Sequence, residues 1–437
     1  MGPMTTSSIV EDATNVTEQP PRLRVWLIDA FCYTPWYTAE LSWALRNTGV
    51  NLKLICTPHL KEPAFFAQQD ITLDPACEQV SRWFRKTPSI IRRAARNADV
   101  WRTMQRLIRE LNAGDQAKPD IIHLQQTPLL NRGICLDFKL LEAAKKAGVP
   151  VLHTVHNVLP HDSGDHLRNI YGQLYNGVDH LICHDITAAH RLNEEFSVPL
   201  KKISVIGHGP LFAPAHAPKE WEIHNARRLL NLPENASIVL WQGIHAPYKG
   251  VDVLLEAWKL ALAQGLQDVV PSPLLLIAGS GPKDFEATIR LAAQHLGGTV
   301  RADLRYIETR ELPLYYTAAD ILAYPYRAIT TSGALLTGLT YAKPIIASRL
   351  PAFEGYLDDR ENAILVEPGN AEQLGMAILC LLKSHAAANI GNVGSEAACY
   401  LQLKSAALKN TSRYISWGQI GNDTVAVYQR CVASSRR

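Results

Sequence analysis

The sequence predicts an α/β protein of two doubly wound, Rossmann-like domains that face each other across a hinge. Three observations carry this. At 437 residues the chain is too long for one ordinary core. Short, wholly apolar strands alternate with helical patterns, as in parallel sheets covered on both faces. A Pro-rich change of texture, "GPLFAPAHAPKEWEIHNARRLLNLPENA", separates two runs of that alternation.

Residues 1–21 read as a disordered leader, because they hold no hydrophobic signal segment. Gly2 fits a myristoylation pattern, which Pro3 directly behind it marks as coincidence. In the first domain, 22–212, strand "RVWLIDA" leads to helix "TAELSWALRNTG" and strand "NLKLICTP". A basic helical insert follows at 82–111, then "DIIHLQQ", "LDFKLLEAAKKAG", "PVLHTVHN", "HLRNIYGQLYNG", "HLICHD", "ITAAHRLNEEF" and "KISVIGHG". The linker is 213–234. The second domain, 235–410, repeats the plan from "SIVLWQG" through "PLLLIAGSG", "DLRYIE", "DILAYPY" and "PIIAS" to a last regular helix, "AEQLGMAILCLLKSH". In the tail, 411–437, Ile415, Trp417, Ile420, Val425, Val427 and Tyr428 supply the apolar face of a docked closing helix.

Composition is that of a soluble globular protein, 47% hydrophobic and 19% charged, with no stretch apolar enough to span a bilayer. The eight cysteines form no CxxC pair, so neither a zinc site nor a disulfide frame is signalled. A reducing, cytoplasmic location is the expectation. Net charge is only +3, yet 82–111 holds nine lysines and arginines against two acids. Ala94, Ala98, Trp101, Met104 and Ile108 recur there at helical spacing, with Arg92, Arg93, Arg96, Arg102 and Arg106 between them. Two readings stand: a helix docked on its own domain, or a patch from Arg82 to Leu111 that sits on anionic lipid at the membrane's inner face, with Trp83, Phe84 and Trp101 as anchors. Nucleic acid is not expected, since the remainder is slightly acidic and carries no binding motif.

Ligands of doubly wound sheets bind at the carboxyl ends of strands. The cleft is therefore expected to be lined by Gln242-Gly243, Gly279-Ser280-Gly281, Tyr326 to Gly333 and His156-Asn157. "PYRAITTSGALLTGLTYAKPIIAS" hands a strand to a helix through Ser332-Gly333, which leaves backbone N–H groups at the helix mouth as an anion site. Lys249 in "WQGIHAPYKGVDVLLEAW" lies between a strand end and a helix start, so a diphosphate could be clamped between the two. "IAGSGP" is a tight turn whose glycines admit a ligand to the backbone.

In order, "WQGIHAPYKGVDVLLEAW", "LLLIAGSGP", "YYTAADILAYPY", "LTYAKPIIAS" and "EGYLDDRENAILVEPGNAEQL" resemble the donor domain of retaining GT-B glycosyltransferases, family 4, group 1. "HTVHNVLPHD" and "VIGHG" resemble members that build exopolysaccharides or lipid-linked saccharides. The resemblance implies a GT-B fold whose closing helix crosses back to the first domain. It implies Lys249, with Gly243, Ser332 and Gly333, at the donor diphosphate. Gly279, Tyr306, Ile307, Glu311 and Thr337 are implied at base and ribose. His156 is implied as a catalytic cleft histidine beside Lys249, with Asn157, His161 and His208 on the acceptor side. Glu354 matches a loop acid, and His123 reads as structural.

Two departures stand out. Where the family has glutamates, this chain has Ile329 and Thr337, and Ile244 replaces an arginine. Three explanations stand: Arg327, next to the cleft, replaces the missing cation at the donor diphosphate; the sugar is held chiefly by N–H groups at Ser332-Gly333; or the enzyme is impaired. The implied activity is retaining transfer of a hexose from a UDP- or GDP-sugar to a saccharide or lipid-linked acceptor. No cofactor is called for beyond the nucleotide sugar, and no metal, since no Asp-x-Asp lies near the cleft. The alternative is a catalytically weak relative that partners another transferase. An epimerase would need more cleft carboxylates.

Overall fold

The computed structural model describes residues 22–113, 118–127, 129–130, 134–159, 167–212, 223–329, 331–391, 394–410 and 416–435. The expected leader, His161 and Ile415 lie outside the described residues.

Strands β1 (Arg24–Asp29), β2 (Asn51–Cys56), β3 (Ile121–Leu124), β4 (Val151–Val155), β5 (His180–Cys183) and β6 (Ile203–Val205) form one parallel sheet, ordered β2-β1-β3-β4-β5-β6. Strands β7 (Ser237–Gln242), β8 (Pro273–Gly279), β9 (Val300–Leu304), β10 (Ile321–Tyr324), β11 (Ile345–Ser348) and β12 (Ile364–Val366) form a second, ordered β12-β11-β10-β7-β8-β9. The apolar runs are explained by helices on both faces. In β1, Trp26 and Ile28 enter one core while Val25 and Leu27 enter the other. In β7, Ile238 and Leu240 face one core, Val239 and Trp241 the other. The direction in which strands are added to the sheet reverses between β1 and β3, and between β7 and β10, although all strands run parallel. These are the two switch points where a doubly wound sheet opens a crevice.

The helix Trp417–Ser435 closes the molecule on the first sheet. Trp417, Ile420, Val427, Tyr428 and Val432 join the core that holds Tyr37, Leu41 and Leu45. A Cβ at Gly421 would lie 2.9 Å from Ala44 O, so glycine allows the helices to meet.

Several expectations are corrected. The strand expected at "DLRYIE" is β9, Val300–Leu304, because Tyr306 and Ile307 leave the sheet for an interdomain contact and the core. A helix at Ser395–Asn410 follows the supposed last one, which itself runs Ala371–Asn389. Within the expected linker, helix Ile223–Leu229 belongs to the second core through Ala226, and buried Arg227 bonds Asp320 at 2.7 Å.

The basic insert forms the helix Ser89–Asn112, but its buried face is not the expected stripe. Ala95, Arg96, Asp99, Val100, Thr103, Met104, Leu107 and Leu111 face inward, and Trp101 is exposed. The cause is Asp99, whose carboxylate accepts the N–H groups of Gln79, Val80 and Ser81 (3.2, 2.8 and 2.8 Å) and so turns inward. Arg96 follows, donating to Phe31 O (2.9 Å) and Thr57 Oγ1 (2.7 Å).

Candidate active site

The exit of β7 runs through Gly243 and the turn Pro247–Lys249 to Gly250, then into helix Val251–Ala263. Gly250 is left-handed (φ 65°), and a Cβ there would lie 1.9 Å from Pro325 O, just beyond β10. The two strand exits are thus in backbone contact. Gly250→Ala adds about 1–3 kcal/mol of left-handed strain before the clash is counted. It is expected to lower the melting temperature and weaken nucleotide binding together. Retention of both values would refute the contact.

Lys249 is half-buried. Its ammonium lies 5.3 Å over the Tyr326 ring and 2.9 Å from where a Gly243 Cβ would stand. Among the described residues no carboxylate pairs with it, and loss of water holds it below the usual lysine range. At Gly279 (φ 145°) a Cβ would be 1.9 Å from Gly243 O, so this position too accepts only glycine. Ser332 caps helix Gly333–Thr340 by accepting the Leu335 N–H at 3.2 Å, and the earlier amides of that turn open at its mouth. The mouth faces the first domain: a Cβ on Gly333 would stand 3.1 Å from Leu211 Cδ1 and 3.7 Å from His208 Cε1.

Other expected donor residues are used differently. The Arg327 guanidinium grips Asp252 at 2.9 and 2.6 Å and Pro247 O at 2.5 Å, and so holds the Lys249 turn. The buried Thr337 hydroxyl accepts the Leu211 N–H (3.2 Å) and donates to Gly333 O (2.7 Å), bracing the interdomain crossing. Glu311 is tied to Arg305 at 2.8 and 2.6 Å. The Ile307 side chain is in the core. Tyr306 reaches across to Glu62, whose Oε1 accepts the Tyr306 hydroxyl (2.5 Å) and the N–H and hydroxyl of Thr309 (3.1 and 2.8 Å). Glu354 is exposed.

On the first domain, Tyr37 lies among His156, His184, His208 and Trp417, with ring centroids 4.7, 5.4, 5.0 and 5.2 Å away. His184 Nδ1 donates to Ile206 O (3.1 Å), so its Nε2 lone pair faces His156 Nδ1 (3.2 Å), which must donate. Burial, then the neighbouring histidines, hold His156 well below the ordinary value, so it is neutral and its Nε2 is an acceptor. Gln125 Oε1 is placed 3.0 Å from that atom, and turning the amide over satisfies both groups. It also lets His123 Nε2 donate to Gln125 and His123 Nδ1 accept from Tyr428, 2.7 Å away. Both His156 ring nitrogens are therefore engaged inside the first domain. His208 is the histidine nearest the helix mouth. Its Nδ1 donates to Gly209 O (2.5 Å), which leaves Nε2 as an acceptor, and burial pushes its pKa down to about 3. Asn157 is exposed at the end of β4.

Sequence reasoning missed Gln125, Tyr37, His184 and Glu62. Gln125 follows the end of β3 at the first switch point, the same signal that placed Tyr326 in the expected cleft. Cysteine spacing hid another gathering: Asp29, Cys32 and Cys56 bring ligand-type atoms within 4.8 Å of one another. Burial pushes both thiols up and the Asp29 carboxyl to about 6, and that carboxyl already accepts Thr38 Oγ1 (2.7 Å) and Cys32 N (3.1 Å).

Known proteins share this arrangement. Residues 35–209 match Glycosyltransferase Family 4, and residues 236–384 match Glycosyl transferases group 1. The chain is 24% identical over 303 residues to a D-inositol 3-phosphate glycosyltransferase of Jonesia denitrificans, covering 66% of this chain and 68% of the relative. It is 29% identical over 209 residues to the GDP-mannose:glycolipid 4-beta-D-mannosyltransferase of Xanthomonas campestris, covering 48% of this chain and 52% of the relative. The alignments thus span 68% and 52% of these two curated relatives. The fold of Anabaena Alr3699/HepE, solved with UDP and glucose, matches with TM-score 0.69 at 13% identity over 94% of this chain and 100% of that one. With both family modules in sequence order on two parallel sheets, the chain belongs to the family 4 glycosyltransferases of GT-B fold.

Proposed function

We propose that the protein transfers a hexose from a UDP- or GDP-sugar to a saccharide or lipid-linked acceptor with retention, in cell-surface glycan synthesis. The observation that carries this reading is the half-buried Lys249 ammonium, without a carboxylate partner among the described residues, at the switch point of the second sheet. In the reaction the anomeric carbon–phosphate oxygen bond breaks and a bond to the acceptor oxygen forms on the same face. The acceptor's proton leaves with the phosphate. Lys249 and the amides at the mouth of helix Gly333–Thr340 neutralise charge developing on the diphosphate. The reading assigns no metal. On this reading His208 Nε2 accepts a sugar hydroxyl.

A second reading, a weak transferase that partners another enzyme, is favoured by one observation: Arg327, the cation expected to stand in for the arginine replaced at Ile244, is paired with Asp252. Calorimetric titration of the purified chain with UDP-glucose, GDP-mannose and ADP-glucose separates the two. Saturable binding with slow hydrolysis of one donor is expected. Failure of all three to bind removes the transferase reading.

The same proposal places the protein on anionic lipid. No described helix is long and apolar enough to cross a membrane. Trp83 and Ile90 are 74% and 80% exposed beside Arg82, Arg92 and Arg93. Replacing Arg92 and Arg93 by Ala is expected to cost about 2 kcal/mol of binding to phosphatidylserine vesicles, at about 1 kcal/mol each. Unchanged pelleting removes the lipid surface from the reading. Arg96 is left intact because it holds the fold.

A further inference from the structure

One cavity, of about 1070 Å³, is lined neither by Lys249 nor by Ser332 or His208. It lies between helix Pro35–Asn47 of the first domain and residues 305–314 of the second. Trp36 forms part of its wall, donating from Nε1 to Thr309 Oγ1 (2.8 Å), and the Glu62 bridge closes one side. Its volume is at the upper end of ordinary small-molecule sites, about 300–1,000 Å³.

The lining selects a kind of ligand. Five carboxylates (Glu40, Glu62, Asp70, Glu308 and Glu311) stand against two guanidinium groups. Both guanidinium groups are already held, Arg305 by Glu311 at 2.6 Å and Arg310 by Glu308 at 2.8 Å. A phosphate or nucleotide would be repelled, which separates this cavity chemically from the Lys249 cleft. Trp36, Trp43, Phe65 and Phe212 line the same space, and the Trp43 indole is 52% exposed. A wholly apolar ligand would strip water from the carboxylates without replacing its hydrogen bonds. A neutral sugar ring offers C–H faces to the indoles and hydroxyls to the carboxylates and to Gln68 and Gln69.

We propose that this cavity is a saccharide-binding subsite for a neutral oligosaccharide, separate from the donor cleft. The inference rests on the glycosyltransferase reading only for the source of its ligand, a growing acceptor chain.

The test is calorimetry on the full chain without nucleotide, using neutral hexasaccharides of glucose, mannose and galactose. Saturable binding of at least one is expected, unchanged by saturating UDP or GDP and weakened about ten-fold by Trp43→Ala through loss of aromatic stacking. Trp43 is exposed enough that its loss leaves the fold intact. The proposal is overturned if no hexasaccharide binds, if Trp43→Ala binds equally well, or if nucleotide competes. Binding of spermidine in place of every saccharide also overturns it. Nucleotide binding by the wild type, read in the same titrations, shows independently whether the donor reading stands.

Discussion

Lys249→Met is expected to reduce kcat/KM for sugar transfer by about 100-fold or more, the scale of removing one charge-stabilising donor from a transition state. It should weaken nucleotide diphosphate binding in parallel and leave the melting temperature unchanged or higher. The opposite signs come from one cause. The folded protein holds a Lys249 ammonium short of water, with no carboxylate paired to it among the described residues, so its pKa lies below that of the unfolded chain. Between those two values the unfolded state binds more protons, and this lysine makes stability rise with pH. Methionine removes that slope along with the charge. Melting curves across the alkaline range, with donor titrations, read both effects. A variant that keeps full affinity for every sugar nucleotide would remove Lys249 from the site.

Trp417→Ala is expected to cost about 3–5 kcal/mol, the range for truncating a buried aromatic residue. The indole donates to Pro210 O at 2.7 Å and packs against Tyr37. A Cβ on Gly209 would lie 2.5 Å from Trp417 Cε2, so the ring presses on backbone beside His208. The loss should appear in chemical denaturation as a lower midpoint and should loosen the histidine group as well. A cost under about 1 kcal/mol would show that the closing helix is not anchored there.

Much of the fold was legible because a parallel sheet buried on both faces demands uninterrupted apolar strands, and ten of the twelve were found close to their observed places, while the short β12 was not assigned. β9 was misplaced because it is an edge strand carrying the Arg301–Asp303 pair at 3.0 Å, which resembles a loop in sequence. Helix Ser395–Asn410 escaped because its apolar residues mark no clear stripe. In the site, the Lys249 turn and the Ser332 cap were legible from strand-end position and residue size. The fate of Arg327 was not, since its partner Asp252 is 75 residues away and nothing local marks the pair. The engagement of both His156 nitrogens depends likewise on Gln125 and His184, brought to it by separate strands.

The crossing of helix Trp417–Ser435 also has a consequence for how the protein is made. The first sheet is made before the second domain, yet one of its two apolar faces is covered in part by a helix made after that domain. Until residues 417–435 have been made, that face is exposed to chaperones and to self-association, and the second domain can fold first although it is made later. Nascent chains arrested before residue 417 should therefore give a protease-sensitive amino-terminal half beside a resistant carboxyl-terminal one.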